Sequence, residues 1–413
     1  MAKKQTCCIQ ATPVDRISDL PDGILHHILS YLSTKTVART TVLSKRWRHL
    51  GDSCPFFDFF QHDFYIPIMD NFNSETFIDA VDRKLESFYK YNSGIQRFRL
   101  SFSLVEPEYH SLVDKWIGLV AERHVKELYL NLDVRLKNPY SLPREIFAVK
   151  SLTVLEISCG NTFFPSSIRL PYLVIRLSSC RIHGGFKISC NQLKELELDN
   201  CMQFGKIEIF APNLSSFSYF GPLHSKCSYF SLNVPIKLKK FMLRSERSLD
   251  TYWYIRLKQC LLQLQCGIET LVLSIKLRSK ITFDGDEASK RCISPPYALK
   301  CLALKVFHPS LTFDLESLID GFLWCFHPEI LAVMFTITMV EPLCKVLFET
   351  MDSRKDQGCC SSSKSKCWRH SFKVKHVIVK KEKGVKEQVP FSWEALSKAV
   401  CEKTYEVEFY LTW

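Results

Sequence analysis

One apolar motif recurs along most of this chain. It reads L-x-x-L-x-L, with other large apolar residues standing in for leucine. It occurs as IQRFRL (95–100), VKELYL (125–130), LTVLEI (152–157), YLVIRL (172–177), LKELEL (193–198), LSSFSY (214–219), LKKFML (238–243), IETLVL (268–273) and LKCLAL (299–304). The fourth position falls at Phe98, Leu128, Leu155, Ile175, Leu196, Phe217, Phe241, Leu271 and Leu302, in steps of 30, 27, 20, 21, 21, 24, 30 and 31 residues. A unit this short cannot bury its apolar face alone, so it is stable only when stacked on its neighbours. The expected fold is α/β, an irregular solenoid with one strand per turn.

Side chains alternate across a strand, so the residue between the last two apolar positions faces out of the core. Up the stack that column reads Arg99, Tyr129, Glu156, Arg176, Glu197, Ser218, Met242, Val272 and Ala303. A solenoid offers an extended surface rather than one pocket, and such a surface suits another protein. Tyr129, Glu156, Arg176, Glu197, Met242 and Val272 are the candidate contacts to a target protein. An alternative holds for the middle: Glu156, Arg176 and Glu197 sit on successive rungs about 4.8 Å apart and can simply pair with one another.

The spacing is similar to that of leucine-rich repeats. Cys180 and Cys201 each follow the last apolar residue of a rung by three positions, the Asn/Cys slot of that consensus, which implies a structural role. The short steps leave no room for a long helix on the other side. The longer steps do, and Tyr109 to Arg123 and Trp253 to Gln265 read as helical.

Ahead of the repeats lies DRISDLPDGILHHILSYLSTKTVARTTVLSKRWRHL (15–50). Pro21 suits the first turn of a helix and Asp22 the positive end of its dipole. Ile24, Leu25, Ile28, Leu29 and Leu32 recur at helical spacing as one apolar stripe. Ser33-Thr34 can end this helix and cap a short second one. Leu43, Trp47 and Leu50 follow on one face of a third. Three helices in so few residues bury little surface, and Trp47 looks too large to bury fully there. Apolar surface is left over for the rest of the chain or for a partner.

The run L-P-x-x-I-L-x-x-I-L-x-x-L followed by V-L-S-K-R-W-R resembles an F-box in the form common in plants. Leu20, Pro21, Ile24, Leu25, Ile28, Leu32, Val42, Leu43, Ser44 and Trp47 fall on its pattern. The resemblance implies docking on a Skp-like adaptor, and through it on a cullin–RING ubiquitin ligase. Leu20, Pro21, Ile24, Leu25, Ile28, Leu32, Val42, Leu43 and Trp47 are the implied adaptor contacts.

The organisation expected is a flexible N-terminus (1–14), an F-box (15–55), the repeats (90–350), a basic, Ser-rich loop (352–367) and a small α+β extension (370–413). Within the last parts, Leu318 to Phe326 and Leu343 to Met351 read as helices. Phe372 to Lys380 and Tyr405 to Trp413 read as strands, with Ser392 to Cys401 a helix between them.

Net charge is +12. Residues 1–55 carry +4 and residues 354–390 carry +8, so the remainder sums to zero. The long middle is therefore no general nucleic-acid surface, and nucleic acid is not an expected partner. No apolar run approaches the roughly 18 residues of a membrane span, and the first residues carry no apolar signal core. A cytoplasmic or nuclear protein with no membrane partner is expected. Its 18 cysteines include no C-x-x-C pair, so they read as reduced, buried thiols rather than metal ligands. No nucleotide-binding, zinc-hydrolase or serine-hydrolase motif occurs, so neither catalysis nor a cofactor is assigned. The function expected is a substrate-recognition subunit of an SCF-type ligase. The alternative is a scaffold of the same build, acting through protein contacts without a ligase.

Overall fold

Side-chain caps set the helix starts in the N-terminal segment. In the computed structural model, α1 spans Asp22–Leu29, α2 Thr34–Thr40 and α3 Lys45–Ser53. Ser33 Oγ accepts the Thr36 N–H, and Ser44 Oγ accepts the Trp47 N–H. Each bond satisfies a donor that the first helical turn leaves open. Leu25, Leu29, Val37, Trp47, Leu50 and Cys54 form the shared core, with Leu20, Leu32 and Phe56 packed against it. Gly51 permits the close approach of α3 to α2, because a Cβ there would stand 2.6 Å from Thr41 Cγ2.

The structure describes residues 15–66, 71–72, 74–90, 94–104, 108–134, 140–159, 162–163, 167–168, 173–221, 230–234, 237–245, 249–264, 267–276, 281–292, 294–307, 314–335, 340–352, 371, 373–401 and 403–413. The expected flexible N-terminus lies outside them, and so does the Ser-rich loop apart from its first residue. The chain divides into two compact units, residues 1–132 and 133–413.

In the first unit, strand Phe56–Phe60 pairs in parallel with Arg97–Leu104, and the strand starting at Glu127 lies next in the sheet. Helices α4 (Ser74–Tyr89) and α5 (Glu108–Glu122) cover one face, burying Phe77, Val81, Leu85 and Phe88 from α4 and Val113, Trp116, Ile117 and Val120 from α5. Phe102 stacks on Phe77 with ring centres 5.1 Å apart, and Trp116 meets both rings.

In the second unit, eight parallel strands follow one another: Val154–Cys159, Val174–Ser178, Glu195–Asp199, Ser216–Phe220, Lys237–Ser245, Gly267–Lys276, Tyr297–Phe307 and Phe326–Phe335. Their register sets Leu155, Ile175, Leu196, Phe217, Phe241, Leu271, Leu302 and Leu331 side by side in one buried row. The first seven are the fourth positions of the sequence motif. Strands in the Leu-x-Leu register thus put their apolar residues on one face, and stacking closes that face.

The short repeats carry a second parallel sheet in which Arg181–Ser189 pairs with Met202–Phe210, and that strand with Phe230–Asn233. Phe186, Ile188, Ile207 and Ile209 from these strands are buried. Ser179 and Asn200 turn the chain between the two sheets with φ of 57° and 49°. The cysteines after them fill the slot that the sequence assigned. Cys180 Sγ donates toward the Ser178 and Ile157 carbonyls, and Cys201 Sγ toward those of Asp199 and Leu177. The longer repeats carry α6 (Thr251–Gln263), α7 (Gly285–Arg291) and α8 (Leu315–Cys325) instead.

After α9 (Val340–Asp352), strands Lys373–Lys381 and Lys386–Val389 form an antiparallel pair, and α10 (Trp393–Ala399) leads into strand Thr404–Thr412. This last strand pairs antiparallel with Phe326–Phe335 on one side and Lys373–Lys381 on the other. The extension therefore continues the repeat sheet with reversed strand direction. No described helix is long and apolar enough to cross a membrane.

Candidate protein-binding surfaces

The stripe read on α1 divides into two faces. Leu25 and Leu29 enter the helical core, while Ile24 and Ile28, one residue earlier in each turn, are 49% and 40% exposed. Val42 and Leu43 lie in the turn before α3 and are 80% and 66% exposed. Leu43 precedes the Ser44 cap, so it does not share a helical face with Trp47 and Leu50, as the spacing suggested. Pro21 is exposed, and Leu20 and Leu32 are half-buried. Trp47 packs mainly inward but keeps an exposed edge. It is 8% exposed, and its indole N–H donates to Ser18 Oγ at 3.1 Å. Leu25, with no exposed surface, belongs to the module's own core and is not placed to touch a partner, while Trp47 belongs to that core with a small part of its ring exposed. Tyr31 and Ile17, which the sequence reading passed over, are exposed as well. Its position at i+3 from Ile28 and i+7 from Ile24 was the signal that could have found Tyr31.

Arg46 fixes the entrance to α1. Its guanidinium bonds Asp22 Oδ1 at 2.6 Å and the Leu20 carbonyl at 2.6 Å, and it also bonds the Ser18 carbonyl. The hydrogen bond from Arg46 holds the Asp22 carboxyl below its ordinary pKa. The apolar side chains beside Leu20 are thus displayed on a fixed backbone rather than on a loose arm.

The second surface is the outward face of the repeat sheet. Register places Glu156, Arg176, Glu197, Ser218, Met242, Val272 and Ala303 in one row across adjacent strands, as the motif implied, and adds Ala332 and Glu408. Arg176 reaches three carboxylates: Glu195 at 3.0 Å, Glu156 at 3.4 Å and Glu197 at 3.8 Å. Pairing within the column is therefore real, and Glu195, which the column did not include, makes the shortest of these contacts. Arg244 lies 3.7 Å from Asp199 and covers the Phe220 ring. Burial holds Glu197 above the ordinary glutamate pKa. Arg176 opposes this, and the nearby Asp199 and Glu156 add to it.

Toward the other end the row becomes apolar. Val272, Ala303 and Ala332 form a buried cluster, with Met242, Cys301 and Met334 half-buried against it. Val272 is 2% exposed, so the expectation that it offers a direct apolar contact is corrected. It supports Met242, whose side chain remains half-buried at the surface. Beyond Ala332, Lys380 bonds Glu408 at 2.7 Å and Glu406 at 3.0 Å. In the first unit, Tyr129 is half-buried under the Arg99 guanidinium, 4.5 Å from its ring centre.

Among the described residues, no three His, Cys, Asp or Glu side chains are grouped to hold a metal ion. The described cysteines are free thiols, mostly buried.

The F-box domain family model matches residues 17–59. The model described as At1g61320/AtMIF1, LRR domain, matches residues 161–327. Similar curated proteins come from Arabidopsis thaliana. F-box/LRR-repeat protein At3g58900 is 36% identical over 198 residues, covering 45% of this chain and 59% of that protein. F-box/LRR-repeat protein At4g14103 is 34% identical over 200 residues, covering 46% and 51%. Putative F-box/LRR-repeat protein At3g18150 is 32% identical over 193 residues, covering 46% and 38%. The chain spans about half the length of the curated relatives it matches.

Proposed function

The chain belongs to the plant F-box/leucine-rich-repeat family, and from that premise we propose that it is the substrate-recognition subunit of an SCF-type cullin–RING ubiquitin ligase. Residues 15–55 bind a Skp-like adaptor, and residues 90–350 hold a target protein in the cytoplasm or nucleus. Ubiquitin chemistry belongs to other subunits, and this chain contributes proximity by holding a target lysine near the loaded conjugating enzyme.

The observation that carries this reading is the division of apolar residues on the helical module. Leu25, Leu29, Trp47 and Leu50 complete a core, yet Ile24, Ile28, Val42 and Leu43 stay exposed around it. Exposed apolar side chains concentrated on so small a module are what a partner surface requires. The test is co-expression of the full chain with a Skp-type adaptor and a cullin, followed by size-exclusion chromatography. Co-elution of all three supports the ligase reading. A chain that binds the adaptor but recruits no cullin is a scaffold. A chain that binds neither overturns the proposal.

A further inference from the structure

The outward face of the repeat sheet is graded, and this grading decides what fits it. At one end, Glu156, Glu195 and Glu197 surround the Arg176 guanidinium, and Asp199 stands by that of Arg244. Three carboxylates share the Arg176 guanidinium, a local excess of two negative charges in a chain whose net charge is +12. Exposed Lys240, two strands from Glu195 in the same row, marks where the acidic part stops. Next along the sheet come half-buried Met242, Cys301 and Met334, seated on the buried side chains of Val272, Ala303 and Ala332. The floor residues are short, and methionine side chains adapt to varied apolar shapes. At the far side Lys380 is shared by Glu406 and Glu408.

From Glu156 to Ala332 there are seven strand-to-strand steps. At about 4.8 Å each they span roughly 34 Å, the reach of about ten residues of extended chain. We propose that this face binds an extended segment of the target protein that carries arginine or lysine at one end and apolar side chains at the other. The cations meet the surplus carboxylates around Arg176, and the apolar residues lie on the methionine-lined part. Charge complementarity selects this occupant over an acidic segment, and over nucleic acid, whose phosphates the carboxylates repel. The proposal rests on the receptor reading above and names the chemistry of its target.

The test uses fluorescence anisotropy of the full chain with labelled peptides of about twelve residues. One probe has paired arginines followed by leucines and valines. Its counterpart replaces each arginine with glutamate, and a third, single-stranded RNA probe replaces peptide altogether. The basic probe should bind at least about tenfold more tightly than the acidic one, and its affinity should fall as salt rises. Glu156→Gln with Glu195→Gln should weaken the basic probe, and Met242→Asp should weaken it separately. Lys386→Ala, on the strand at the opposite edge, should leave it unchanged. Equal or tighter binding of the acidic or RNA probe to the wild-type chain overturns the proposal, and that comparison needs no variant to fold. Adaptor binding is measured on the same preparation. If the adaptor binds and the basic probe does not, the target chemistry is wrong while the receptor reading stands. If the basic probe binds and the adaptor does not, the receptor reading fails alone.

Discussion

Arg97 grips Asp58 through two parallel hydrogen bonds, Nε to Oδ1 at 3.0 Å and Nη2 to Oδ2 at 2.9 Å. Both side chains are largely buried. The same guanidinium donates to the Ser30 carbonyl at the end of α1, and Thr34 Oγ1, in α2, accepts the Asp58 N–H at 2.8 Å. One ion pair between two neighbouring strands therefore also fastens two helices of the N-terminal module. Asp58→Ala leaves a buried guanidinium without its carboxylate and should cost about 3–5 kcal/mol. Denaturant unfolding of the variant measures this. Asp58→Leu with Arg97→Met should recover much of the loss, because an apolar pair of similar size leaves no buried charge. A loss within about 0.5 kcal/mol for Asp58→Ala would mean that the pair carries no structural weight.

Two neighbours on α1 should behave in opposite ways. Leu25→Ala opens a cavity in the helical core and should destabilise by about 2–5 kcal/mol. Ile24→Ala removes an exposed side chain and should change stability by no more than about 0.5 kcal/mol, while weakening adaptor binding. Thermal unfolding and a binding titration on both variants separate the roles. Equal destabilisation by the two would contradict the division of the stripe.

The thiols should react in an order set by burial. Burial lifts Cys301 to about 11, with Glu408 and Glu406 adding to it, and burial lifts Cys344 to about 12. Cys325 is buried and raised further. Cys401 is exposed. The thiolate is the species that reacts, so brief alkylation of the folded chain near pH 8 should label Cys401 well before Cys301, Cys325 and Cys344. Peptide mass spectrometry reads the order, and early labelling of Cys325 would contradict the packing around α8.

Glu197 makes a prediction about pH. Its pKa in the folded chain lies above that in the unfolded chain, chiefly because of burial. The folded state therefore holds this proton more tightly, so Glu197 subtracts stability as pH rises from the ordinary glutamate value through its own higher one. Glu197→Gln removes that penalty, so the variant should be as stable as the parent or more stable at pH 7. Its advantage should shrink as pH falls toward 4. Calorimetric melting temperatures across this range test the sign, and a variant clearly less stable at pH 7 would reverse it.

Much of the fold was legible because Leu-x-Leu alternation has a period of two and the steps between motifs are regular. Inward residues such as Leu196 and Leu302 were assigned from that pattern alone. The rung Phe326–Phe335 was missed because it lies inside a longer apolar stretch. Leu331 and Val333 alternate at a step of 29 residues from Leu302, a usable signal. The strand Arg181–Ser189 hides its alternation behind Gly184 and Gly185, where the pairing register shifts. α4 lies outside the repeated motif altogether. Alternation told which face Val272 lies on but not how deeply it sits, since its burial is set by Met242 and Ala303 on neighbouring strands. The hydrogen bond of Trp47 was hidden for a similar reason, since its partner Ser18 is 29 residues away. In the column around Arg176, the motif position chosen found Glu156 and Glu197, but the shortest contact comes from Glu195, two residues before Glu197 on the same face of its strand.

The central claim is that the exposed apolar side chains of the helical module bind an adaptor. Isothermal titration of a purified Skp-type adaptor into the full chain tests it directly, with an Ile24→Asp, Leu43→Asp variant in parallel and melting temperatures recorded for both proteins. The expected result is saturable one-to-one binding by the parent chain, and loss of that binding by a variant whose melting temperature is unchanged. No binding by the parent chain, or equal binding by a folded variant, would contradict the claim.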